Sequence, residues 1–217
     1  MNLIRKPFKY TYRNACLILV LVQCAIFVVF QLLSKVGLGS VESYFALVSP
    51  LTIHYKMFWQ VFTYQFLHAD IWHLLFNMLS LYIFGSSLEQ KMGTKEFLLF
   101  YLLCGTLCGI AGAVIYHFVF LRTFMPVVVV GASGAIFSLL FAFATLFPDT
   151  HIFIWGIIPL PAPILILVYT GIEILGALSA SDNIAHSIHL LGLVWAFLYV
   201  VIRFGINPIK VWKNNLR

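Results

Sequence analysis

Val130-Gly131-Ala132-Ser133-Gly134-Ala135-Ile136-Phe137 puts a hydroxyl between two glycines at the edge of a long apolar run. Immediately upstream, Phe124-Met125-Pro126 leads into the four valines Val127 to Val130. Proline has no N–H to give a helix and β-branched side chains favour extended backbone, so helix is expected to begin at about Ser133. It then runs to Phe147, just before Pro148, a length of 15 residues. At about 1.5 Å per residue that is roughly 22 Å, against a hydrocarbon core of about 30 Å. Such a helix is too short to cross a bilayer. Its first turn, with unpaired N–H groups, would start below the membrane surface, where irregular backbone is tolerated only inside protein or beside a water-filled cavity. The geometry marks a candidate site, with Ser133 as its candidate nucleophile.

The membrane itself follows from composition. The 217 residues are 62% hydrophobic and 9% charged, with a mean hydropathy of +1.01. A soluble globular domain carries about 25% charged residues and is excluded. Six apolar segments can be read: Ala15 to Leu33, Ile71 to Ser86, Phe97 to Phe120, Ser133 to Phe147, Ala162 to Leu178 and Ile184 to Phe204. The expected fold is all-α, a polytopic membrane protein of six transmembrane helices over residues 15–206. It is flanked by a short basic segment, 1–14, and a short basic tail, 207–217. No soluble domain of normal size fits in what is left. The first segment lacks a small-residue cleavage site and reads as a retained helix.

Basic residues favour the cytoplasmic side of short loops. With the N-terminus inside, the inner segments hold Arg5, Lys6, Lys9, Arg13, Lys91, Lys95, Arg203, Lys210, Lys213 and Arg217, while Lys35, Lys56 and Arg122 fall outside. Both termini are thus expected in the cytoplasm, as in a bacterial inner membrane. The net charge of +6 is then a topology signal and an attraction to anionic lipid, not a nucleic-acid surface. Cys16, Cys24, Cys104 and Cys108 suggest no disulfide framework. Cys104 and Cys108 share a helix face, but no histidine follows at zinc-ligand spacing, so they read as small apolar filler.

The basic, aromatic lead-in ends at Asn14, which would cap the first helix. The long connection from Ser34 to Asp70 carries Tyr44, Phe45, Tyr55, Phe58, Trp59 and Phe62, consistent with a loop in the outer interface. In the second segment His73 and Asn77 stand at i, i+4 and present an imidazole and an amide on one face. Polar groups in a span are costly, so this pair marks either function or interhelical bonding. Gly85 to Gly93 reads as the inner turn, where Glu89, Lys91, Lys95 and Glu96 pair or are solvated. Gly105 and Gly109 permit close helix packing. Glu173 in the fifth segment is a costly charge, read equally as a local hydrogen bond near water or as functional. In the last segment His189 lies seven residues past Asp182, roughly 10 Å deep by helical rise. Ser133, His189 and the His73/Asn77 face thus reach a comparable depth. They form a minimal set of nucleophile, base and oxyanion donors.

Gly131-Ala132-Ser133-Gly134-Ala135-Ile136-Phe137 resembles the signature of the rhomboid intramembrane serine proteases. His189-Leu190-Leu191-Gly192 resembles the histidine-x-x-glycine of that family's last core helix, and His73-x-x-x-Asn77, preceded by His68, resembles its second helix. With six spans in the matching order, the resemblance covers nearly the whole chain and implies a rhomboid-like six-helix bundle. It further implies a Ser133–His189 dyad without a third acid, using no cofactor and no metal. Gly131, His73 and Asn77 would serve the oxyanion and substrate. The substrate would be another protein's transmembrane segment, met in the lipid bilayer, with the fifth helix and the Ser179 to Asn183 loop as gate. Of the two histidines a turn apart, His186 and His189, the glycine three residues on selects His189. No acid is obviously placed to orient it: Asp182 is two turns away, and Asp70 and Glu173 lie on other helices.

Three departures stand out. Trp59-Gln60 replaces the family's tryptophan-arginine, Phe137 stands where some members have tyrosine, and Ala196 replaces the second glycine of the last helix. None removes a reacting group. Three rival readings remain: an ion-handling protein, which leaves the Gly-x-Ser-Gly element unexplained; a haem or metal protein using His73, His186 and His189; and a catalytically inactive rhomboid-like protein that binds membrane clients, against which the intact Ser133 and His189 argue.

The charge bias makes a direct prediction. Reporter fusions or cysteine-accessibility labelling should find both termini on the cytoplasmic side and Ser133 nearer the outer face. A terminus on the outer side would break the depth argument.

Overall fold

The computed structural model describes residues 8–154, 157–178 and 183–215. Arg5, Lys6, Arg217, Asp182 and all but the last residue of the Ser179 to Asn183 loop lie outside the described residues. Helix α1 (Ala15–Lys35) leads into a connection built from a 3₁₀ turn (Gly39–Tyr44), strand β1 (Leu47–Val48) and short helices α2 (Ser49–Ile53) and α3 (Gln60–Thr63). Helix α4 (Ile71–Ser80) passes through a wide turn at Leu81–Gly85 into α5 (Ser86–Met92), making one continuous apolar rod. Then follow α6 (Thr94–Thr123), strand β2 (Val128–Val129), α7 (Ser133–Leu146), strands β3 (His151–Ile154) and β4 (Ile158–Pro161), and α8 (Ala162–Leu178). Helix α9 (Asn183–Tyr199) ends in a second wide turn, Val200–Phe204, before α10 (Pro208–Asn215).

The chain is a mostly helical, multi-pass membrane protein. Among the described residues, four helices are long and apolar enough to cross a membrane: Ala15–Lys35, Ile71–Met92, Thr94–Thr123 and His186–Phe204. Two further apolar helices, α7 and α8, are shorter. Helix α1 leaves Leu17, Ile18, Leu21 and Val28 exposed, which only a lipid environment makes tolerable. Helix α7 is apolar all round and buried on nearly every face, the pattern of a helix sheathed by others. Its 14 residues span about 21 Å.

Several local expectations change. The valine run is extended as expected, and it has a partner: Val129 and Val128 pair antiparallel with Leu47 and Val48 of the long connection. That pairing satisfies backbone groups that would otherwise be stranded. A second ribbon, β3 with β4, also departs from an all-helical chain. Asn14 does not cap α1. It adopts a left-handed φ of 54° with no side-chain hydrogen bond. The cap comes from Glu89, fully buried, whose carboxylate accepts the N–H groups of Ala15 at 2.8 Å and Cys16 at 2.9 Å and the hydroxyl of Thr94 at 2.5 Å. The Gly85 to Gly93 stretch is therefore helix and not a solvated turn; the turn is Gly93 alone, at φ +85°, where a side chain would press on Tyr10 and Thr11. Glu96 is likewise buried, accepting the Tyr199 hydroxyl at 2.5 Å and a two-pronged bond from Arg203 at 2.8 Å. It ties α6 to the end of the last long helix. All four cysteines are free.

The cap yields a stability prediction. Glu89→Ala strands two buried N–H groups, at about 1–3 kcal/mol each, and should lower the unfolding midpoint of the detergent-solubilised protein clearly. Glu89→Gln keeps an acceptor and should lose less. Equal midpoints for parent and alanine variant would show that α1 is not held this way.

Candidate active site

Helices α7 and α9 meet without a side chain between them. A Cβ on Gly192 would overlap the carbonyl of Gly134, and one on Gly134 would lie 2.9 Å from Ile188. The hydroxyl of Ser138 bonds to the carbonyls of Gly192 at 2.8 Å and Gly134 at 3.0 Å, which fixes the register of the crossing. Ala196, at the position of the family's second glycine, is fully buried and fits with its methyl. Ser133 is the first residue of α7, and His189 faces it from α9; both border one cavity of about 580 Å³. The ring of Phe137, one turn beyond Ser133, stacks on His189 at 4.2 Å with a 10° interplanar angle. The stacking needs no hydroxyl.

The opposite wall comes from α4. Asp70 caps that helix, its carboxylate accepting the N–H groups of Trp72 at 2.8 Å and His73 at 2.9 Å. The His73 amide, then that of Trp72, holds this exposed carboxyl below the ordinary carboxylate range. His73 and Asn77, a turn apart, line the cavity. Between them and Ser133 passes Gly131, at φ +120°; a Cβ there would lie 2.6 Å from the His73 ring and 3.7 Å from Asn77 Nδ2. Only glycine meets both demands. Its N–H donates to the carbonyl of Tyr64 at 3.1 Å, and the Tyr64 hydroxyl donates to the carbonyl of Gly105 at 2.8 Å. Asn77 Nδ2 is buried and makes no hydrogen bond among the described residues. His68 is buried behind His73, ring edge to ring face at 5.2 Å.

All five residues singled out from sequence, Ser133, His189, His73, Asn77 and Gly131, thus border the same cavity. Sequence reasoning missed other parts. Tyr169, Ser80 and Val128 to Val130 also line it. The expectation that no acid is placed at the imidazole is wrong: Glu173 Oε2 lies 3.1 Å from His189 Nδ1 and 2.6 Å from His186 Nδ1. The available signal was Gly176, where a Cβ would overlap the His186 ring, so α8 is cut away there for that imidazole. The Gly105 and Gly109 pair permits close packing, and more than helices use it: Gln65 and the Val61 carbonyl of the connection press on α6 there, and Ala135 of α7 lies 3.3 Å from where a Cβ on Gly105 would sit.

Gln60, the first of the three departures from the family pattern, anchors that connection. Fully buried, its amide accepts from Thr52 Oγ1 at 2.7 Å and the Val48 N–H at 3.2 Å, and donates to the carbonyl of Ser43 at 2.9 Å. This side chain adds to the pairing with β2 in holding strand β1 in place.

A family model for the rhomboid domain matches residues 55–206, more than half of the chain and every wall of the cavity. The chain belongs to the rhomboid family. It is similar to RHOMBOID-like protein 12, mitochondrial, of Arabidopsis thaliana, 33% identical over 155 residues that cover 66% of this chain and 46% of that protein. RHOMBOID-like protein 7 of the same plant is 32% identical over 180 residues, 82% of this chain and 52% of that one. Rhomboid protease GluP of Bacillus subtilis is 32% identical over 139 residues, 64% and 25%. This rhomboid chain spans about half or less of the length of these curated relatives. The family includes proteases, and its named members are mitochondrial as well as bacterial. The expectation of a bacterial inner membrane in particular gains no support from them.

The unpartnered amide separates two roles for Asn77. If it merely holds helices together, Asn77→Ala should cost about 1–3 kcal/mol of stability. With Nδ2 unbonded, the variant should instead unfold within about 1 kcal/mol of the parent, as thermal or denaturant unfolding in detergent will read.

Proposed function

We propose that this rhomboid chain is an intramembrane serine endopeptidase that cuts peptide bonds in or near transmembrane segments of other membrane proteins with a Ser133–His189 dyad. The observation that carries it is the shared cavity: three stretches far apart in sequence bring a hydroxyl at a helix start, an imidazole and an amide/imidazole pair to one wall-to-wall space. Six spans, α1, α4 with α5, α6, α7, α8 and α9, cross the bilayer in this reading, with the basic ends on one side.

His189 takes the proton of Ser133, whose oxygen attacks a peptide carbonyl; the acyl-enzyme that forms is released by water. His189 Nδ1 faces Glu173, which leaves Nε2 for the serine. The oxyanion is held by the Ser133 backbone N–H at the helix start, the Asn77 amide and His73. A donor with no other partner, such as Asn77 Nδ2, costs nothing to redirect, and losing one such donor slows acyl transfer about 10²- to 10³-fold. Gly131 lets the chain pass beneath these donors without a side chain in the substrate's path. The cavity supplies water at a depth where lipid supplies none, and no cofactor or metal enters the chemistry.

The experiment is cleavage of a purified single-span reporter substrate, with small and helix-breaking residues near its outer end, in detergent or liposomes. Site-specific cleavage should vanish with Ser133→Ala and with His189→Ala, and persist with His186→Ala. A segment of uninterrupted leucine should be cut poorly, because it does not surrender its backbone hydrogen bonds in lipid. Cleavage that survives in Ser133→Ala would sink the assignment. A parent protein that cuts nothing would favour the inactive, client-binding reading.

A further inference from the structure

Glu173 is 6% exposed, on the face of α8 turned toward α9. A carboxylate buried at this level is costly unless paired. Its partners are two imidazoles of the neighbouring helix. His186 Nδ1 bonds Oε2 in line at 2.6 Å; His189 Nδ1 approaches the same oxygen at 3.1 Å, within ion-pair reach but off line for a hydrogen bond. The arrangement has room made for it, since Gly176, one turn beyond Glu173, is where any side chain would strike the His186 ring.

These three groups could also be read as a metal site. The spacing argues otherwise. Zinc bonds of about 2.0–2.1 Å in a tetrahedron hold their ligands roughly 3.3 Å apart, whereas His186 and Glu173 sit at the 2.6 Å of a charge-assisted hydrogen bond. The geometry is that of a carboxylate shared between two histidines.

We infer that Glu173 is a positioning residue: its carboxylate, anchored by His186, holds His189 with the proton on Nδ1 and the free Nε2 turned to Ser133. The inference rests on the protease reading above and replaces its two-member dyad with a serine, a histidine and an acid from a third helix. Stacking on Phe137 fixes the plane of the His189 ring but leaves open a flip about its Cβ–Cγ bond, which exchanges the ring's edges. A carboxylate at Nδ1 removes that freedom and selects the tautomer, the service a buried aspartate performs in a serine–histidine–aspartate triad. The off-line approach at 3.1 Å fits a site at rest, since catalytic hydrogen bonds tighten when substrate is bound. The charged and titratable groups around His189 are then Glu173 and Tyr169 from α8, His186 from its own helix, Ser133 from α7 and His73 from α4.

The test is steady-state cleavage of the reporter substrate by parent, Glu173→Gln, Glu173→Asp and Ser133→Ala. Glu173→Gln keeps the volume and removes the charge, and its amide can offer a donor to Nδ1 and so favour the wrong tautomer. It should lower kcat at least about tenfold, short of the roughly 10⁴-fold seen when the aspartate of a full triad is made an asparagine, with KM within about twofold of the parent. Glu173→Asp, which restores the charge, should recover part of kcat. Unfolding midpoints measured on the same preparations separate this from loss of fold. His186→Asn should stay active, with a kcat between those of the parent and Glu173→Gln. A Glu173→Gln protein that cleaves with the parent kcat, or that fails only in KM, overturns the inference while leaving the serine protease reading intact. A parent that does not cleave, or a Ser133→Ala variant that does, overturns both.

Discussion

The site depends on one bare contact. At Gly134 and Gly192 two helix backbones touch with no side chain between them, and the hydroxyl of Ser138 reaches across to lock the register. Ser133 is one residue before the first glycine and His189 three before the second, so the contact sets the separation of the two groups directly. A methyl at Gly192 would have to push the Gly134 backbone away, and one at Gly134 would press on the side chains of Ile188 and Cys108. Everything else in the bundle can be seen as holding this crossing still: Cys108, Ile188 and Leu139 pack around it, and α6 backs it with Gly105 and Gly112, which admit Gln65 and Ile188.

A second constraint is that polar groups inside the bundle cannot fall back on water. The fold answers with a few buried side chains that each serve several partners. Glu89 caps α1, Glu96 ties α6 to Tyr199 and Arg203, and Gln60 holds strand β1 against the valine run. Exceptions remain among the described residues, Gln23, Ser49, Gln65, His117 and Trp195 among them, and two of them, at Asn77 and His189, border the cavity. Asn77 Nδ2 and both ring nitrogens of His68 are buried without a hydrogen bond among the described residues. An unmet buried donor costs free energy, and Asn77 Nδ2, on the cavity wall, is the one placed to recover it from a bound group.

Much of this could be read in the sequence, for a specific reason. The start of α7 at Ser133 followed from one proline and four valines, because local stiffness decides backbone locally. The meeting of Ser133, His189, His73, Asn77 and Gly131 at one cavity followed from depth counting and from the family resemblance. What escaped was long-range. Nothing near Asn14 says that Glu89, more than 70 positions away, will cap its helix. The Gly105 and Gly109 pair advertises a close approach without naming the loop that makes it. Glu173 looked unplaced because an acid's distance from a histidine on another helix depends on how the two pack, and only Gly176 records that packing. The four spans long enough by themselves were visible as apolar runs, though the Ile71 span extends through a wide turn to Met92, past the glycine that seemed to end it.

The most direct measurement asks whether Ser133 is an activated nucleophile. A fluorophosphonate reacts readily only with a serine whose proton a neighbouring base can take. Treated with such a reagent and digested, the purified protein should carry the adduct on the peptide containing Ser133, and Ser138 and the other serines should stay clean. The His189→Ala variant should remain unlabelled although its serine is intact. Labelling that ignores His189, or that falls on another residue, would contradict the assignment of this crossing as a catalytic centre.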